Sequence, residues 1–505
     1  MHQIAMIGTG SMGSMMTLLF AENGVKMSIY DPSESNRKKA MDKAKQDGLE
    51  SKVTAYSDYE SLCNSLSSPK VFFFSVPHGS VGDAIVDSLW PYLEKGDIII
   101  DGSNEHWENT QRRQGKLVVR GVGYVGMGVS GGYQSARGGA SFSPGGEDWA
   151  VEAVMPFLRT VAAKDVEGNP CVQKMGAGGA GHYVKMIHNG IEQGMMSALC
   201  EVWGIMNSGL GLRYEEIADI FEKWNTKGEL RENFLVGIGV DILKQKDPEN
   251  KKHVLSEIQD KVVQDVDESE GTGVWTSEEG MRLHIPIPTI TSGHQMRLAS
   301  AYSTKRKRVS KAMGGRLVTP QSIECEDREG MIEQLRQATY ITFLASFIQG
   351  LTLLARADDE NRWGLDFSKI IAIWRGGCII RSEHISELFL KVYKNASKEI
   401  LSDPLANETV AAEFKNAFPA LKKIVSRSIE ADAYIPTLAA TLEWLKYSTT
   451  EEGLPTEFEE AELDFFGWHM FDLKGHDSGK AVTGRYHFGW RSAKGIPEPS
   501  KIVRL

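Results

Sequence analysis

The sequence predicts an α/β domain with a doubly wound, mostly parallel sheet, then a large all-α domain and an extended C-terminal tail. In the first part, short apolar runs alternate with polar, helix-prone stretches. A helical period then dominates, and the last part is rich in glycine, histidine and aromatic residues with little periodicity. We therefore expect domains at 1–180, 181–446 and 447–505.

The same patterns locate the individual elements. Apolar runs typical of strands are Ile4–Ile7, Met27–Tyr30, Val71–Val76, Ile98–Ile100 and Leu117–Val119. Beyond the glycine cluster at 176–181, segments with helical period are Tyr183–Asn207, Tyr214–Asn225, Glu229–Gln245, Met331–Ala355 and Glu383–Ala396. The aromatic tail is expected to pack on another surface.

Composition excludes some functions. The chain has 505 residues, 41% of them hydrophobic, which is enough for more than one core. A net charge of -10 argues against a nucleic-acid partner, because no basic excess is present to displace counterions. We also expect no membrane partner, since no apolar run approaches the length of a span. Five widely spaced cysteines without a C-x-x-C pair favour a reducing, cytoplasmic location.

A glycine-rich turn follows the first strand and opens a helix: Gly8-Thr9-Gly10-Ser11-Met12-Gly13. In this strand–turn–helix context, G-x-G-x-x-G is typical of a Rossmann domain that binds a dinucleotide. The first glycine permits the tight turn, the second lets the pyrophosphate approach, and the third lets helix and strand pack closely. The helix N-terminus supplies N–H groups to the phosphates.

Asp31, at the end of the second strand, predicts the cofactor preference. A carboxylate here accepts hydrogen bonds from the ribose hydroxyls of NAD and repels the 2′-phosphate of NADP. The adjacent stretch Arg37-Lys38-Lys39 could instead reach that phosphate, but we interpret it as the solvated face of the next helix. We therefore expect NAD to be preferred over NADP.

A polar stripe lies on an otherwise apolar helix. Lys185, His188, Asn189 and Glu192 are spaced i, i+3, i+4 and i+7, so they share one helical face. Burying such a stripe is costly without a purpose. A solvated face with i,i+4 pairs is the alternative, and the glycine-rich turn before it and the apolar remainder of the helix argue against that.

Several segments together resemble the 6-phosphogluconate dehydrogenases, within the wider β-hydroxyacid dehydrogenase family, over nearly the whole chain. They are Gly8–Gly13, Ile100–Asn104, Gly126–Gly132, Pro144–Gly146, Gly179–Glu192, Gly271–Trp275 and Phe466–His469.

The resemblance implies oxidative decarboxylation of a 3-hydroxy acid without a metal. Lys185 is then the base that takes the C3 hydroxyl proton, and Glu192 is the acid that protonates C1 of the enediol. The loop Ser130-Gly131-Gly132 resembles the one that holds the substrate carboxylate. The other implied contacts are Asn104, His188 and Asn189 to the substrate, and Val76 and Asn104 to the cofactor.

The implied phosphate grip departs from the family pattern. Thr272 and Arg297 match it. A Tyr, a Lys and an Arg of the family are replaced here by Gln193, Glu270 and Leu463, and Pro32 stands where NADP-using members carry an Arg.

From these replacements we expect a paralogue that acts on a sugar acid, an aldonate, without a 6-phosphate, giving a ketose, CO2 and NADH. The alternatives are 6-phosphogluconate itself, giving ribulose 5-phosphate, a β-hydroxyacid dehydrogenase without decarboxylation, and, ranked last, a non-catalytic NAD-binding regulator.

His469 in the tail matches a family histidine that enters the active site of the other subunit. The resemblance therefore implies a homodimer with exchanged C-terminal tails.

Overall fold

The structure is a computed structural model that describes residues 3–262, 271–475, 484–492, 494–495 and 501–504. The chain divides into two compact units, Met1–Leu442 and Glu443–Leu505. The first unit contains the sheet and nearly all of the helices, and the second contains the tail.

The sheet has seven strands in the order β3-β2-β1-β4-β5-β6-β7, all parallel except the last pair. The strands are β1 (Gln3–Ile7), β2 (Lys26–Tyr30), β3 (Val53–Tyr56), β4 (Val71–Phe74), β5 (Ile98–Asp101), β6 (Gly123–Ser130) and β7 (Ser141–Gly145). The helices that cover it are α1 (Ser11–Glu22), α2 (Glu34–Gln46), α3 (Tyr59–Asn64), α4 (Ser80–Leu89), α5 (Trp107–Val118), α6 (Gly132–Gly138) and α7 (Asp148–Val161).

The apolar runs become strands because both faces of the sheet are covered. On β4, Phe73 packs into one buried cluster, while Phe72 and Phe74 pack into the other. A strand buried on both sides reads as a continuous apolar run. The strand order reverses between β1 and β4, and ligands of such sheets bind at that point, beyond the carboxyl ends of the strands. The expected doubly wound sheet is confirmed.

One strand prediction is wrong. Leu117–Val119 forms the end of α5, where Leu117 is buried and Val118 and Val119 are 54% and 78% exposed. A three-residue apolar run is too short to distinguish a strand from a helix. The strands β3, β6 and β7 were not predicted.

Helices make up the rest of the first unit. They are α8 (Ala180–Gly204), α9 (Tyr214–Thr226), α10 (Phe234–Lys244), α11 (Val254–Glu257), α12 (Thr272–Arg282), α13 (Pro288–Ala301), α14 (Ser303–Ala312), α15 (Arg328–Asn361), α16 (Phe367–Ile373), α17 (Glu383–Tyr393), α18 (Lys398–Ser402), α19 (Glu408–Glu430) and α20 (Pro436–Ser448), which continues into the second unit. The large helical domain predicted from the sequence is confirmed.

α15 runs through the helical core against α8 and α19. It is the one helix among the described residues with the length and composition of a membrane span, which corrects the expectation that no apolar run comes close. Its most apolar window has a mean hydropathy of 1.5 and is 94% buried inside the protein.

The second unit contains α21 (Thr456–Gly467) and the antiparallel pair β8 (Tyr486–Phe488) and β9 (Ile502–Arg504). The sequence predicts an extended tail, but the structure shows that part of it is helical. Glu, Ala and Leu in α21 have high helix propensity, and that outweighs the aromatic, aperiodic composition around it.

Candidate active site

The glycine turn between β1 and α1 is shaped by what a side chain would meet. A Cβ at Gly8, whose φ is +93°, would lie 2.2 Å from the Ser75 oxygen, and one at Gly13 would lie 2.0 Å from the Gly8 oxygen. A Cβ at Gly10 would meet nothing within 4 Å. The first and third glycines thus close the turn, while the second borders open space at the N-terminus of α1. This arrangement fits a dinucleotide phosphate.

Asp31 is held at this turn by hydrogen bonds. Its Oδ2 accepts from the Thr9 N–H at 2.8 Å, and its Oδ1 accepts from the Ser33 N–H at 2.9 Å. The guanidinium of Arg37 donates to the main-chain oxygen of Asp31. The sequence predicts that the basic stretch lies on a solvated face. Lys38 does, and it pairs with Asp42 at 3.0 Å, whereas Arg37 is half-buried.

The loops after β4 and β5 carry Val76 and Asn104. They are joined by the Ser103 hydroxyl, which accepts from the Val76 N–H at 3.2 Å. Asn104 is exposed between two buried neighbours, Ser103 and Glu105. Two predicted cofactor contacts thus lie on adjacent loops at the reversal of the sheet.

A buried charge network supports these loops and was missed by sequence reasoning. Arg113 on α5 is 1% exposed and donates to Glu105 at 2.7 Å and to Asp101 at 3.4 Å. The Tyr124 hydroxyl donates to Asp101 at 2.5 Å. In the sequence, Arg113 resembles any basic residue on a solvated helix face, so no signal distinguished it.

α8 lies directly on β6 and β7 because glycines remove the intervening side chains. A Cβ at Gly181 would lie 2.1 Å from the Gly126 oxygen, and one at Gly128 would lie 2.3 Å from the Lys185 Cβ. This close approach brings Lys185, 7% exposed, to the end of β6. There its Nζ donates to the Ser130 Oγ at 3.1 Å.

The loop after Ser130 requires glycine. Gly131 has a φ of +99° and Gly132 a φ of +68°. A Cβ at Gly131 would lie 2.4 Å from the Gly377 oxygen. The chain therefore turns sharply beside Lys185, where the resemblance implies a carboxylate loop.

His188 is fully buried. Its Nδ1–H donates to the Asn189 Oδ1 at 3.0 Å, and Nδ1 lies 3.8 Å from a Glu192 oxygen. Burial, and then the charge of Lys185, hold the pKa of His188 well below its usual range. The ring is therefore neutral, so its approach to Glu192 is not an ion pair. In this structure its Nδ1 hydrogen bond holds the Asn189 side chain.

Glu192 and Asn189 are accessible on the same helical face. The Glu192 side chain is 22% exposed. The Asn189 amide donates to the Thr272 Oγ1 at 2.9 Å, which links α8 to α12. The polar stripe predicted from the sequence thus borders both the strand ends and the start of α12.

Gln193 lies at the far end of this stripe. It is 6% exposed, and its buried Oε1 has no hydrogen-bond partner among the described residues. A Cβ at Gly273 would come within 2.0 Å of its amide nitrogen. Arg297 is half-buried on α13, and Glu270 lies outside the described residues.

The remaining predicted site residues belong to the second unit. Leu463 is half-buried on α21, and His469 is exposed just beyond it. Between them, Asp464 is fully buried and accepts from the Met470 N–H at 3.0 Å and the Trp490 Nε1 at 2.8 Å.

Comparison with known proteins matches both parts of the chain to family models. The NAD binding domain of 6-phosphogluconate dehydrogenase matches residues 3–178, and the 6-phosphogluconate dehydrogenase C-terminal domain matches residues 181–490.

Similar proteins cover almost the full length. A decarboxylating 6-phosphogluconate dehydrogenase of Emericella nidulans is 43% identical over 96% of this chain and 100% of its own. An NADP(+)-dependent, decarboxylating 6-phosphogluconate dehydrogenase of Bacillus subtilis is 36% identical over 93% and 96%. The solved Plasmodium falciparum 6-phosphogluconate dehydrogenase, studied with NADP+ and with 6-phosphogluconate, superimposes with a TM-score of 0.85 at 32% identity over 97% and 100%.

Fold, glycine turn and matched domains define an NAD(P)-binding dehydrogenase of the decarboxylating type. The chain belongs to the 6-phosphogluconate dehydrogenase family.

Proposed function

We propose that this chain oxidises and decarboxylates 6-phosphogluconate to ribulose 5-phosphate with a nicotinamide dinucleotide. The observation that carries this is the placement of Lys185 and Glu192 on one face of α8, with Lys185 hydrogen-bonded to Ser130 at the end of β6. The names of the relatives favour 6-phosphogluconate over the non-phosphorylated acid that the sequence predicts.

The residues around the cofactor fit its chemistry. Gly8, Gly10 and Gly13 would hold the pyrophosphate, and Asp31 the ribose, with Val76 and Asn104 alongside. The nicotinamide, when bound, accepts the hydride from C3. The side chains of the protein bind the substrate acid and transfer protons.

Lys185 takes the proton of the C3 hydroxyl as the hydride leaves C3. Ser130, Gly131 and Gly132 hold the carboxylate beside it, so the 3-keto acid forms with its carboxylate fixed. CO2 then leaves with C1 of the acid, and the electrons of the broken C1–C2 bond form a C2=C3 enediol, because the 3-carbonyl accepts them. No metal is required for this step.

Glu192 donates a proton to C2 of the acid, which becomes C1 of ribulose 5-phosphate, after CO2 has left. The Glu192 side chain is partly exposed and can therefore reach the acid. His188, 3.8 Å away, is neutral, so it does not form an ion pair with the Glu192 carboxyl group. Asn189 positions the hydroxyls and, through Thr272, the start of α12. A regulator without catalysis would not need Lys185 and Glu192 together.

A second substrate, a non-phosphorylated aldonate, is favoured by Gln193. An unpartnered, buried carbonyl oxygen gains most from a hydroxyl donor, which a terminal CH2OH supplies and a phosphate dianion does not. Leu463 also lacks the charge of the family's arginine. Thr272 and Arg297 favour the phosphate instead.

We also propose that NAD is preferred over NADP, that the protein is a cytoplasmic homodimer, and that its tails are exchanged so that His469 enters the site of the partner. Asp31 supports the first of these, while Arg37 near the ribose end works against it.

Steady-state assays test the proposal. Purified protein is offered 6-phosphogluconate and gluconate with NAD and with NADP, and both reduced dinucleotide and trapped CO2 are measured. Equal molar yields of the two products from 6-phosphogluconate are expected. Reduced dinucleotide without CO2 would identify a plain dehydrogenase, and no product from either acid would overturn the assignment.

A further inference from the structure

Trp275 lies between two histidines that belong to the dinucleotide loops. His78 follows β4 and His106 follows β5, and each ring meets the indole nearly edge-on with centroids 5.1 Å apart. Trp275 itself stands on the first turn of α12, in the helical part of the unit. Neither histidine has a place in the proposed chemistry.

Buried charged side chains join the two histidine loops. The Glu105 carboxylate accepts from the Gly79 N–H at 3.0 Å and from the His106 N–H at 2.8 Å. Arg113 donates to Glu105 at 2.7 Å and to the Gly79 oxygen at 2.6 Å. Glu105 and Arg113 are 3% and 1% exposed, so water does not screen these bonds.

The helical turn that carries Trp275 is hydrogen-bonded to α8. A Cβ at Gly271 would lie 2.1 Å from the indole, so the ring rests on the residue that precedes Thr272. The Thr276 hydroxyl, one residue after Trp275, donates to the Met186 oxygen on α8 at 2.9 Å. A shift of the indole therefore displaces the start of α12 against α8.

We propose that Trp275 is a positioning residue that couples dinucleotide binding at the loops after β4 and β5 to binding of the hydroxy acid between α8 and α12. A dinucleotide that orders these loops fixes His78 and His106 around the indole. The indole in turn holds Thr272 against Asn189, where the acid binds. The identity of the two ligands rests on the proposed function, whereas the coupling path does not.

Binding measurements test the coupling. The Kd of the acid that is turned over, 6-phosphogluconate or gluconate, is measured by calorimetry with and without saturating reduced dinucleotide, which prevents turnover. In the wild type the dinucleotide is expected to tighten acid binding at least about fivefold. In Trp275→Ala this ratio is expected to fall to about one, in Trp275→Phe it is expected to be largely kept, and the Kd of the dinucleotide alone is expected to stay within about twofold. Trp149→Phe, an exposed tryptophan on α7, is the matched control.

Tryptophan fluorescence provides a second test that does not require the substrate acid to bind. Tryptophan emission is expected to change on titration with oxidised dinucleotide in the wild type and in Trp149→Phe, and to lose most of that change in Trp275→Phe. A wild type without coupling, or a Trp275→Ala protein with the wild-type ratio, would overturn the proposal. If neither acid binds, the proposed substrate is wrong, and an unchanged emission response in Trp275→Phe would overturn the coupling separately.

Discussion

The Lys185 side-chain nitrogen and the Ser130 hydroxyl are joined by a hydrogen bond of 3.1 Å between a helix and the end of a strand. The contact exists because Gly128 has no side chain where the stem of Lys185 crosses β6. A Gly128→Ala change is therefore expected to displace the base.

The cofactor preference depends on Asp31. Replacing Asp31 by Ser removes the charge that repels a 2′-phosphate, so the ratio of kcat/KM for NAD to that for NADP is expected to fall at least about tenfold, or about 1.4 kcal/mol. Asp42→Ser, on the exposed face of α2, is the control and is expected to leave the ratio unchanged. A wild-type enzyme that favours NADP would contradict the proposed preference.

Recognition of the substrate end that carries either a phosphate or a hydroxyl depends on Gln193. The triple change Gln193→Tyr, Glu270→Lys and Leu463→Arg restores a hydroxyl donor and two cations, each charge-assisted bond being worth about 1.5–3 kcal/mol. Activity on 6-phosphogluconate is expected to rise relative to gluconate. Matched kinetics on both acids decide the matter, and an unchanged ratio would mean that Gln193 does not read this end of the substrate.

The folded structure of the second unit depends on the buried Asp464. Replacing it with Ala leaves the Trp490 and Met470 N–H donors unpaired, so the tail is expected to become sensitive to limited proteolysis and activity to fall at least about tenfold. Deleting residues 447–505 is expected to abolish activity and weaken the dimer in light scattering. Glu460→Ala, exposed on the same helix, is the control. A truncated protein that stays dimeric and active would rule out the exchanged tail.

Glu201 predicts a pH dependence of stability. It is 3% exposed, and burial raises its pKa to about 7, although the Leu438 and Thr437 N–H groups that it accepts from at the start of α20 oppose this. Because the folded pKa exceeds the unfolded value of 4.5, the contribution of this group to stability is full below pH 4.5 and is lost as pH rises to about 7.

The loss is on the order of 3 kcal/mol at 1.36 kcal/mol per pKa unit. The melting temperature of the wild type minus that of Glu201→Gln is therefore expected to fall between pH 5 and pH 8. A difference independent of pH would show that Glu201 does not titrate in this window.

The sequence predicted the parts of the fold that have a strong period. The polar stripe of α8 and the glycine turn carry their spacing in the chain itself, so both were found. β6 was missed because its glycines, which α8 needs for close approach, lower its strand propensity. Helix α21 was missed because aromatic residues surround it.

The rest depends on contacts that are remote in sequence. The Arg113–Glu105 bond and the histidines around Trp275 arise only when loops meet, and each residue alone resembles a surface residue. Full burial of His188 likewise depends on residues remote in sequence, so it could not be predicted from the spacing of the polar stripe.

The central claim is that Lys185 starts the reaction and Glu192 completes it. Single-turnover experiments with enzyme in excess of 6-phosphogluconate, following reduced dinucleotide and trapped CO2 together, test it most directly. Lys185→Met is expected to bind the dinucleotide but to form both products at least about a thousandfold more slowly than the wild type. Glu192→Gln is expected to slow decarboxylation and protonation while it changes dinucleotide binding less. A Lys185→Met protein that reduces the dinucleotide at a near wild-type rate would contradict the account.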